Sequence, residues 1–189
     1  FHALTENDSV QCIFIFDTQI LDELPADDAR VTFIHSELEK IHHELKAFNS
    51  SLRLEYGDPT DIWQKIMNNE SISAIYSNKD YEPYARRRDG NIRDLAKGKS
   101  IEFKRYKDQV IYEEHDVLKK DGKPYTVYTP FKNTWRAQFV PSEHLPHSIE
   151  TLTDNFATSS YSILSLEEMG MKPSSITVKP FTLKDLSEY

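Results

Sequence analysis

The sequence predicts an α/β domain built on a doubly wound parallel sheet. Two observations support this prediction: short apolar runs alternate with segments of helical periodicity, and the connections between them are short. The resulting order, β-α-β-α-β-α-β, is typical of parallel strands that are covered by helices on both faces. The chain has 189 residues, which is enough for one such domain and an appendage.

The first predicted strand and helix lie at the start of this alternation. Residues 10–16 are almost wholly apolar, as expected of a strand that is buried on both faces. A long helix follows, and either Asp27 or Asp28 can cap it. Its apolar residues recur at spacings of three and four and predict one buried stripe. The stripe comprises Val31, Ile34, Leu38, Ile41, Leu45 and Phe48.

The rest of the alternation ends near residue 105. Pro59, preceded by Asp58, begins the second helix, because proline is favoured at the first helical position. Asp80 is the predicted cap of the third helix. The other strands are predicted at 52–56, 72–77 and 101–105, and the third helix at 81–97.

Ligands of parallel α/β sheets bind beyond the carboxyl ends of the strands. The sequence therefore predicts four candidate site loops, which are residues 17–19, 57–60, 78–82 and 106–109.

The pattern changes beyond residue 108. Residues 117–128 predict two short strands around an Asp-Gly turn. Thr129 and Pro130 then begin a short helix that ends near Phe139. Taken with the alternation before it, this predicts one domain over residues 1–140.

Residues 141–189 are rich in serine, threonine and proline, and only 164–169 look helical. So long a segment with little periodicity predicts an irregular interdomain linker rather than a second domain. Its apolar residues indicate an arm that packs on something beyond the end of this chain. They include Phe156, Tyr161, Ile163, Leu164, Leu166 and Phe181.

Charge and composition exclude several classes of protein. The net charge is −8, with 23 basic and 31 acidic residues, so the surface as a whole does not favour nucleic acid or anionic membrane. Only residues 79–107 are basic, and a solvated helix face offset by acidic neighbours is the preferred interpretation. The five glycines form neither common phosphate-binding motif. Without an apolar run long enough to span a membrane, a soluble, intracellular protein is expected.

Candidate nucleophiles and metal ligands are few. Cys12 lies in a predicted buried strand, where a thiol usually behaves as a small apolar side chain. His35, His42 and His43 share one helix without the spacing of a metal pair, so they are expected on its solvated face. The sequence predicts no metal site and no catalytic set.

Residues 78–89 are the most informative stretch, because they place two tyrosines, a carboxylate and an arginine cluster where a strand gives way to a helix. Two interpretations stay open on the residues alone. Aromatic faces beside a carboxylate suit a flat heterocycle that carries N–H donors. Alternatively, the stretch is a helix cap held by Arg–Asp pairs.

The same stretch resembles a known family. Residues 80–89, Asp-Tyr-Glu-Pro-Tyr-Ala-Arg-Arg-Arg-Asp, are similar to a motif in the N-terminal domain of DNA photolyases and cryptochromes. Three more segments resemble that family in the right order, and residues 166–170 look like its linker. The three are 12–17, like its second strand, 56–59, like its strand-to-helix turn, and 125–135, like its aromatic Thr-Pro-Phe segment.

The resemblance implies a function for the whole protein. Photolyases use light and FAD to split pyrimidine dimers in DNA, and cryptochromes signal. The FAD site and the DNA-binding face belong to a helical C-terminal domain, which is absent from this chain. The N-terminal domain of many members holds an antenna chromophore: methenyl-folate, a deazaflavin or FMN. This chain then has that FAD domain as its partner, meets DNA only through it, binds no membrane and is a monomer.

The resemblance also implies site residues. In members with a folate antenna, the carboxylate of the helix-opening motif contacts the chromophore, and Glu82 occupies that position. Tyr81, beside it, is a further candidate for contact with the chromophore. It departs from the asparagine that some folate binders have there, so the antenna is undecided. Asp80 and Arg86 are weaker assignments, and Asp17 joins them from the first candidate loop. No FAD or DNA residue is assigned.

Two features limit what the chain is expected to do alone. The family begins with a central strand that lines the antenna cleft, whereas this chain starts after it, so the fragment itself is predicted to be inactive. Trp63 and Trp135 are expected to pack in the core rather than to carry electrons. Two alternatives remain: a nucleotide-binding α/β module without glycine motifs, and a docking or signalling domain that binds no ligand.

Overall fold

The computed structural model describes residues 1–176 and confirms the α/β class. Helices and strands alternate from the first strand to the fourth, as the periodicity predicts. The elements are α1 (His2–Glu6), β1 (Ile13–Asp17), α2 (Thr18–Leu21), α3 (Ala29–Leu45), β2 (Arg53–Gly57), α4 (Pro59–Asn69), β3 (Ala74–Asn78), α5 (Pro83–Gly98), β4 (Glu102–Tyr106) and α6 (Tyr128–Gln138).

The four strands form two parallel pairs rather than one continuous ladder. β1 pairs with β2, and β3 pairs with β4, with α3 and α5 as the respective connections. The last residues of paired strands lie opposite each other: Asp17 faces Gly57, and Asn78 faces Tyr106. Each pair therefore brings two of the candidate loops to one edge.

The chain divides into two compact units. The β3–β4 unit comprises Phe1–Glu6 and Pro59–Leu152, and the β1–β2 unit comprises Asn7–Asp58 and the described residues from Thr153 to Ile176. Within the described residues no helix is both long and apolar enough to cross a membrane. The same part of the chain holds no cluster of three His, Cys, Asp or Glu residues suited to a metal ion.

Asp28 caps α3, since the Arg30 backbone N–H donates to Asp28 Oδ1 at 2.8 Å.

The core of the β1–β2 unit includes the arm that the sequence predicts to pack on something beyond the end of the chain. The arm packs against α3 and the two strands of its own unit, so that part of the arm needs nothing outside the chain. The buried residues are Phe16, Leu21, Val31, Leu38, Leu45, Leu52, Leu54, Leu166, Met169 and Met171. The predicted arm residue Phe181 lies outside the described residues.

The prediction that His35 and His42 face solvent is wrong. Their exposed fractions are 7% and 6%, whereas Ile34 and Ile41 of the predicted stripe are 39% and 45% exposed. One ring nitrogen of each histidine has a hydrogen-bond partner: His35 Nε2 lies 2.8 Å from the Leu164 carbonyl oxygen, and His42 Nδ1 lies 3.3 Å from that of Leu52. Both carbonyls lie outside α3, and that of Leu164 is 129 residues from His35, so helical periodicity alone could not reveal them.

The core of the β3–β4 unit lies between the strands and helices α4 and α5. Met67 from α4 meets Ile92 and Ala96 from α5 and Ile75 from β3. Trp63 packs against this cluster, which confirms its assignment to the core.

The predicted hairpin at 117–128 does not form strands. The segment keeps only its turn. There the Gly122 backbone N–H donates to the Lys119 carbonyl, and the Lys119 backbone N–H donates to the Lys123 carbonyl, both at 2.9 Å. Gly122 has φ +76°, a conformation that glycine adopts without steric cost. Asp121 also accepts from the Lys123 backbone at 3.2 Å. The turn signal was therefore correct, but the flanking residues are irregular.

Candidate functional site

The β3–α5 connection carries most of the residues that the sequence predicts for the site. The first residue of this connection extends the pairing of β3 with β4 by one hydrogen bond, because the Lys79 backbone N–H donates to the Tyr106 carbonyl at 2.8 Å. The Glu82 backbone N–H then donates to Asp80 Oδ1 at 3.0 Å, which turns the chain into the helix. Pro83 follows at the first helical position, which suits its fixed φ.

The predicted cap is displaced by two residues. Glu82, not Asp80, is the N-cap of α5, and its side chain makes no capping hydrogen bond. The Glu82 side chain is exposed. Asp80 acts one step earlier, by holding the turn that precedes the helix.

A cluster of two cations and two carboxylates lies beside this connection. Lys79 Nζ donates to Glu113 Oε2 at 2.5 Å and to Glu114 Oε2 at 2.9 Å. The Tyr81 hydroxyl donates to the same Glu113 oxygen at 2.8 Å, and Arg86 pairs with Glu114 Oε1. The two carboxylates thus tie the segment after β4 to the beginning of α5.

These contacts shift the titration of the groups involved. The hydrogen bond from Lys79 lowers the pKa of Glu113 and likewise that of Glu114. Burial, followed by the hydrogen bond to Glu113, raises the pKa of Tyr81. At neutral pH the carboxylates are therefore charged and the tyrosine carries its proton, so the cluster keeps its donors and acceptors in one arrangement.

A cleft of about 460 Å³ opens beside the cluster, within the β3–β4 unit. Four of its nine lining residues are aromatic and two are carboxylates. They are Tyr81, Arg86, Val110, Tyr112, Glu113, Glu114, Val117, Phe131 and Trp135.

The Tyr112 hydroxyl is the one side-chain polar atom of this lining that is buried without a hydrogen-bond partner among the described residues. Its ring is held edge-on by two neighbours, Trp135 at 5.4 Å and His144 at 5.7 Å between ring centroids. Burial raises the pKa of Tyr112, so the hydroxyl can both donate and accept at neutral pH. An unpaired buried hydroxyl of this kind costs about 1–3 kcal/mol.

The predicted site residues lie in three places: in the lining of the cleft, beside the cleft, and in the β1–β2 unit. Tyr81 and Arg86 line the cleft, whereas Asp80 and Glu82 lie on the connection that flanks it and are not among the lining residues. Asp17 belongs to the β1–β2 unit, where it is buried and accepts the Gln19 backbone N–H at 2.9 Å as the cap of α2.

Sequence reasoning missed the far wall of the cleft. Glu113, Glu114 and Tyr112 lie in an irregular segment without periodicity, where no spacing marks them. Trp135 was assigned to the core; it packs on Phe139 at 5.2 Å between ring centroids, and it also lines the cleft. The aromatic density of residues 125–135 was the available signal for this wall.

Comparisons with known proteins place the chain in a family. The model of the DNA photolyase family matches residues 1–150. The deoxyribodipyrimidine photo-lyase of a Synechococcus strain is 32% identical over 69% of this chain. Cryptochrome-2 of Gallus gallus is 26% identical over 89% of the chain.

A solved structure supports the fold as well as the family. The archaeal photolyase from Sulfolobus tokodaii aligns with 70% of this chain at a TM-score of 0.57 and 30% identity. That protein was crystallised with two FAD molecules, which implied a novel light-harvesting cofactor. The chain spans only 27% of the Synechococcus protein and 29% of the archaeal chain. With a family model over most of its length, this chain belongs to the DNA photolyase family.

Proposed function

We propose that this chain is the light-harvesting domain of a DNA photolyase, the part that holds an antenna chromophore. The observation that carries the proposal is the family match over residues 1–150, which includes the whole α/β part and the motif at the β3–α5 connection. The second FAD of the Sulfolobus tokodaii protein supports an antenna in a relative of similar fold.

The described residues fit such a chromophore. The cleft beside the β3–α5 connection has aromatic walls and carboxylate acceptors, which suit a flat heteroaromatic ring. A bound antenna would absorb light and pass the excitation to FAD. In this proposal Tyr81 and Arg86 contact the ring, and Asp80, Glu82 and Asp17 are the further candidates from the sequence.

The antenna function implies an activity and a partner for the whole protein. We propose that a C-terminal FAD domain is its partner, that DNA is bound through that domain, and that the protein is a cytoplasmic monomer that splits pyrimidine dimers in light. The chain alone should split none, so light-dependent repair by the purified chain without added flavoprotein would contradict the proposal.

Binding of a chromophore is the direct test. The purified chain is titrated with methenyl-folate, a deazaflavin and FMN, followed by absorbance and fluorescence, beside Glu82→Gln. Glu44→Gln is the matched control, because Glu44 is an exposed glutamate of α3 in the other unit. Saturable binding of one chromophore supports the antenna function, and weaker binding by Glu82→Gln alone would assign Glu82. A folded chain that binds none of the three contradicts it.

A further inference from the structure

We propose that residues 107–116 form a lid over the cleft of the β3–β4 unit, and that Lys79 holds this lid shut by an ionic clasp to Glu113 and Glu114. The lid lies between the end of β4 and the buried Val117. The inference goes beyond the proposed function, because it concerns access to the cleft and is independent of the ligand that the cleft binds.

The clasp joins two walls of the cleft. Tyr81 and Arg86 line it from the β3–α5 connection and α5, whereas Glu113 and Glu114 line it from the segment after β4. Lys79 Nζ, on the connection, lies 2.5 Å from Glu113 Oε2 and 2.9 Å from Glu114 Oε2. The two walls therefore separate only if these bonds break.

Lys79 is the centre of the clasp. The Tyr81 hydroxyl adds a bond to Glu113 at 2.8 Å, and Arg86 pairs with Glu114. Among the contacts of the described residues, however, Lys79 alone bonds to both carboxylates. The bond to Glu113, then that to Glu114, raises the pKa of Lys79, so its ammonium group is charged at neutral pH. Loss of this one cation weakens the hold on both carboxylates.

The lid is held by little apolar packing. None of residues 107–116, all of which the structure describes, is buried. Its aromatic contact is that of the Tyr112 ring with Trp135 and His144. Segments with few buried apolar contacts open locally at a lower free energy than the core does. The lid is therefore a segment that opens readily once the clasp is broken.

The connection that contains the lid is long and irregular. Residues 107–127 join β4 to α6, and over this described stretch the chain forms neither helix nor strand. Irregular connections longer than about 15 residues are uncommon in compact domains and often serve as lids or binding loops. Asn78 donates to Asp108 at 3.0 Å near the beginning of the lid, and Val117 is 6% exposed at its end. The lid moves between these two points.

Access to Trp135 measures the opening directly. Trp135 lines the cleft, and Trp63, the other tryptophan of the sequence, packs in the core. In a Trp63→Phe background, acrylamide quenching of the remaining tryptophan fluorescence therefore reports how open the cleft is. We expect the quenching constant to rise at least about twofold for Lys79→Gln. A thermal melt verifies that each variant is folded.

Two matched variants separate loss of the clasp from loss of a charge. Lys79→Arg keeps a cation that can donate to both carboxylates, so its quenching constant should equal that of the unmodified chain. Arg93→Gln removes the same charge from the exposed pair with Asp94 in α5, away from the cleft. Its quenching constant should also stay unchanged.

Hydrogen exchange gives a second measurement that needs no tryptophan. The Glu113 backbone N–H donates to Asp116 Oδ2 at 2.7 Å, and that of Asp116 donates to the Glu113 carbonyl at 3.1 Å. Both amides should exchange at least about fivefold faster in Lys79→Gln, because the lid opens more often. The amides of α4 should exchange as they do in the unmodified chain.

The outcomes separate this inference from the proposed function. The inference is overturned if folded Lys79→Gln shows the quenching and exchange of the unmodified chain. It is overturned too if Lys79→Arg behaves as Lys79→Gln does, or if Arg93→Gln opens the cleft as far. Since none of these measurements adds a chromophore, each result leaves the antenna function as it stands. A chain that binds no chromophore would contradict that function and leave the clasp.

Discussion

At the residue scale, Glu6 shows how strongly one side chain can be held on a strand pair. It accepts hydrogen bonds from Lys104 Nζ at 2.8 Å and from the hydroxyls of Tyr76 and Tyr106 at 2.7 Å. The bond from Lys104, then those from the tyrosines, lowers the pKa of Glu6 to about 2. The three contacts fix α1 on the pair formed by β3 and β4.

Glu6→Gln should lower the melting temperature at neutral pH. An unfolded glutamate titrates near pH 4.5, so the folded carboxyl with its lower pKa stabilises the protein fully above that pH. The stabilisation is lost as the pH falls from about 4.5 through about 2. Melts across this range should show the gap between the two proteins narrowing; a gap independent of pH would contradict the assignment.

Asp89 is a second residue whose surroundings make a prediction. Its exposed fraction is 2%, and it pairs with Arg88 at 2.9 Å and Arg105 at 3.5 Å. Asp89→Ala should destabilise the fold by about 2 kcal/mol, since it empties a buried site and removes the carboxylate that two partly buried arginines share. The control is Asp94→Ala in the exposed pair with Arg93, expected to cost less than ~1 kcal/mol. Equal losses in urea denaturation would contradict this difference.

The residues that line the cleft could be predicted from the sequence only in part. The sequence marked Tyr81 and Arg86 because an aromatic residue and a cation stand where a strand meets a helix, and both line the cleft. It could not mark Glu113 or Tyr112, because an irregular segment has no period that assigns its side chains to a face. Their positions depend on contacts with residues about 30 places away, such as the bond from Lys79 to Glu113.

At the scale of elements, the part of the arm from Thr153 to Ile176 is a structural part of the β1–β2 unit. The Ser51 hydroxyl lies 2.8 Å from that of Ser159 and accepts the Tyr161 backbone N–H at 2.9 Å. The Val10 and Phe156 backbones form a parallel bridge just before β1. These contacts add to the apolar packing of the arm against α3.

Truncation of a buried arm residue should therefore destabilise the fold. Met169 is 3% exposed, and Met169→Ala should lower the free energy of unfolding by about 2–4 kcal/mol through lost burial and the cavity left behind. The neighbouring exposed Glu167→Ala should change it by less than ~0.5 kcal/mol. If denaturant midpoints of the two variants coincide, the arm is not part of the core.

Elements with strong local signals were predicted well. The apolar run before Asp17, the Asp28 cap and Pro59 each begin or end an element within a few residues of the expected place. The hairpin at 117–128 failed because its Asp-Gly signal specifies a turn but not the pairing of its flanks. The division into two strand pairs was also beyond the sequence, since alternation does not state which strands are neighbours.

At the scale of the whole molecule, the charge pattern has a structural explanation. Segment 79–107 is the only one with a positive net charge. Many of its cations pair with nearby carboxylates, which agrees with the prediction of a helix face offset by acidic neighbours. The pairs are Lys79 with Glu113 and Glu114, Arg86 with Glu114, Arg88 and Arg105 with Asp89, Arg93 with Asp94, and Lys104 with Glu6 and Glu102.

This chain should accordingly bind DNA poorly by itself. Its net charge is −8, and non-specific binding depends on cations that are free to replace the counterions of phosphates. We expect a dissociation constant above ~100 μM for duplex DNA at physiological salt, measured by fluorescence anisotropy. Salt-dependent binding at low micromolar concentration would contradict the proposal that DNA is met through another domain.

The central claim is that this chain carries an antenna chromophore, and stoichiometric titration tests it most directly. Methenyl-folate, a deazaflavin and FMN are each added to the folded chain, and bound chromophore is measured by absorbance after removal of the excess. We predict that one of the three saturates at about one molecule per chain. A chain that melts cooperatively yet retains none of them would contradict the antenna function.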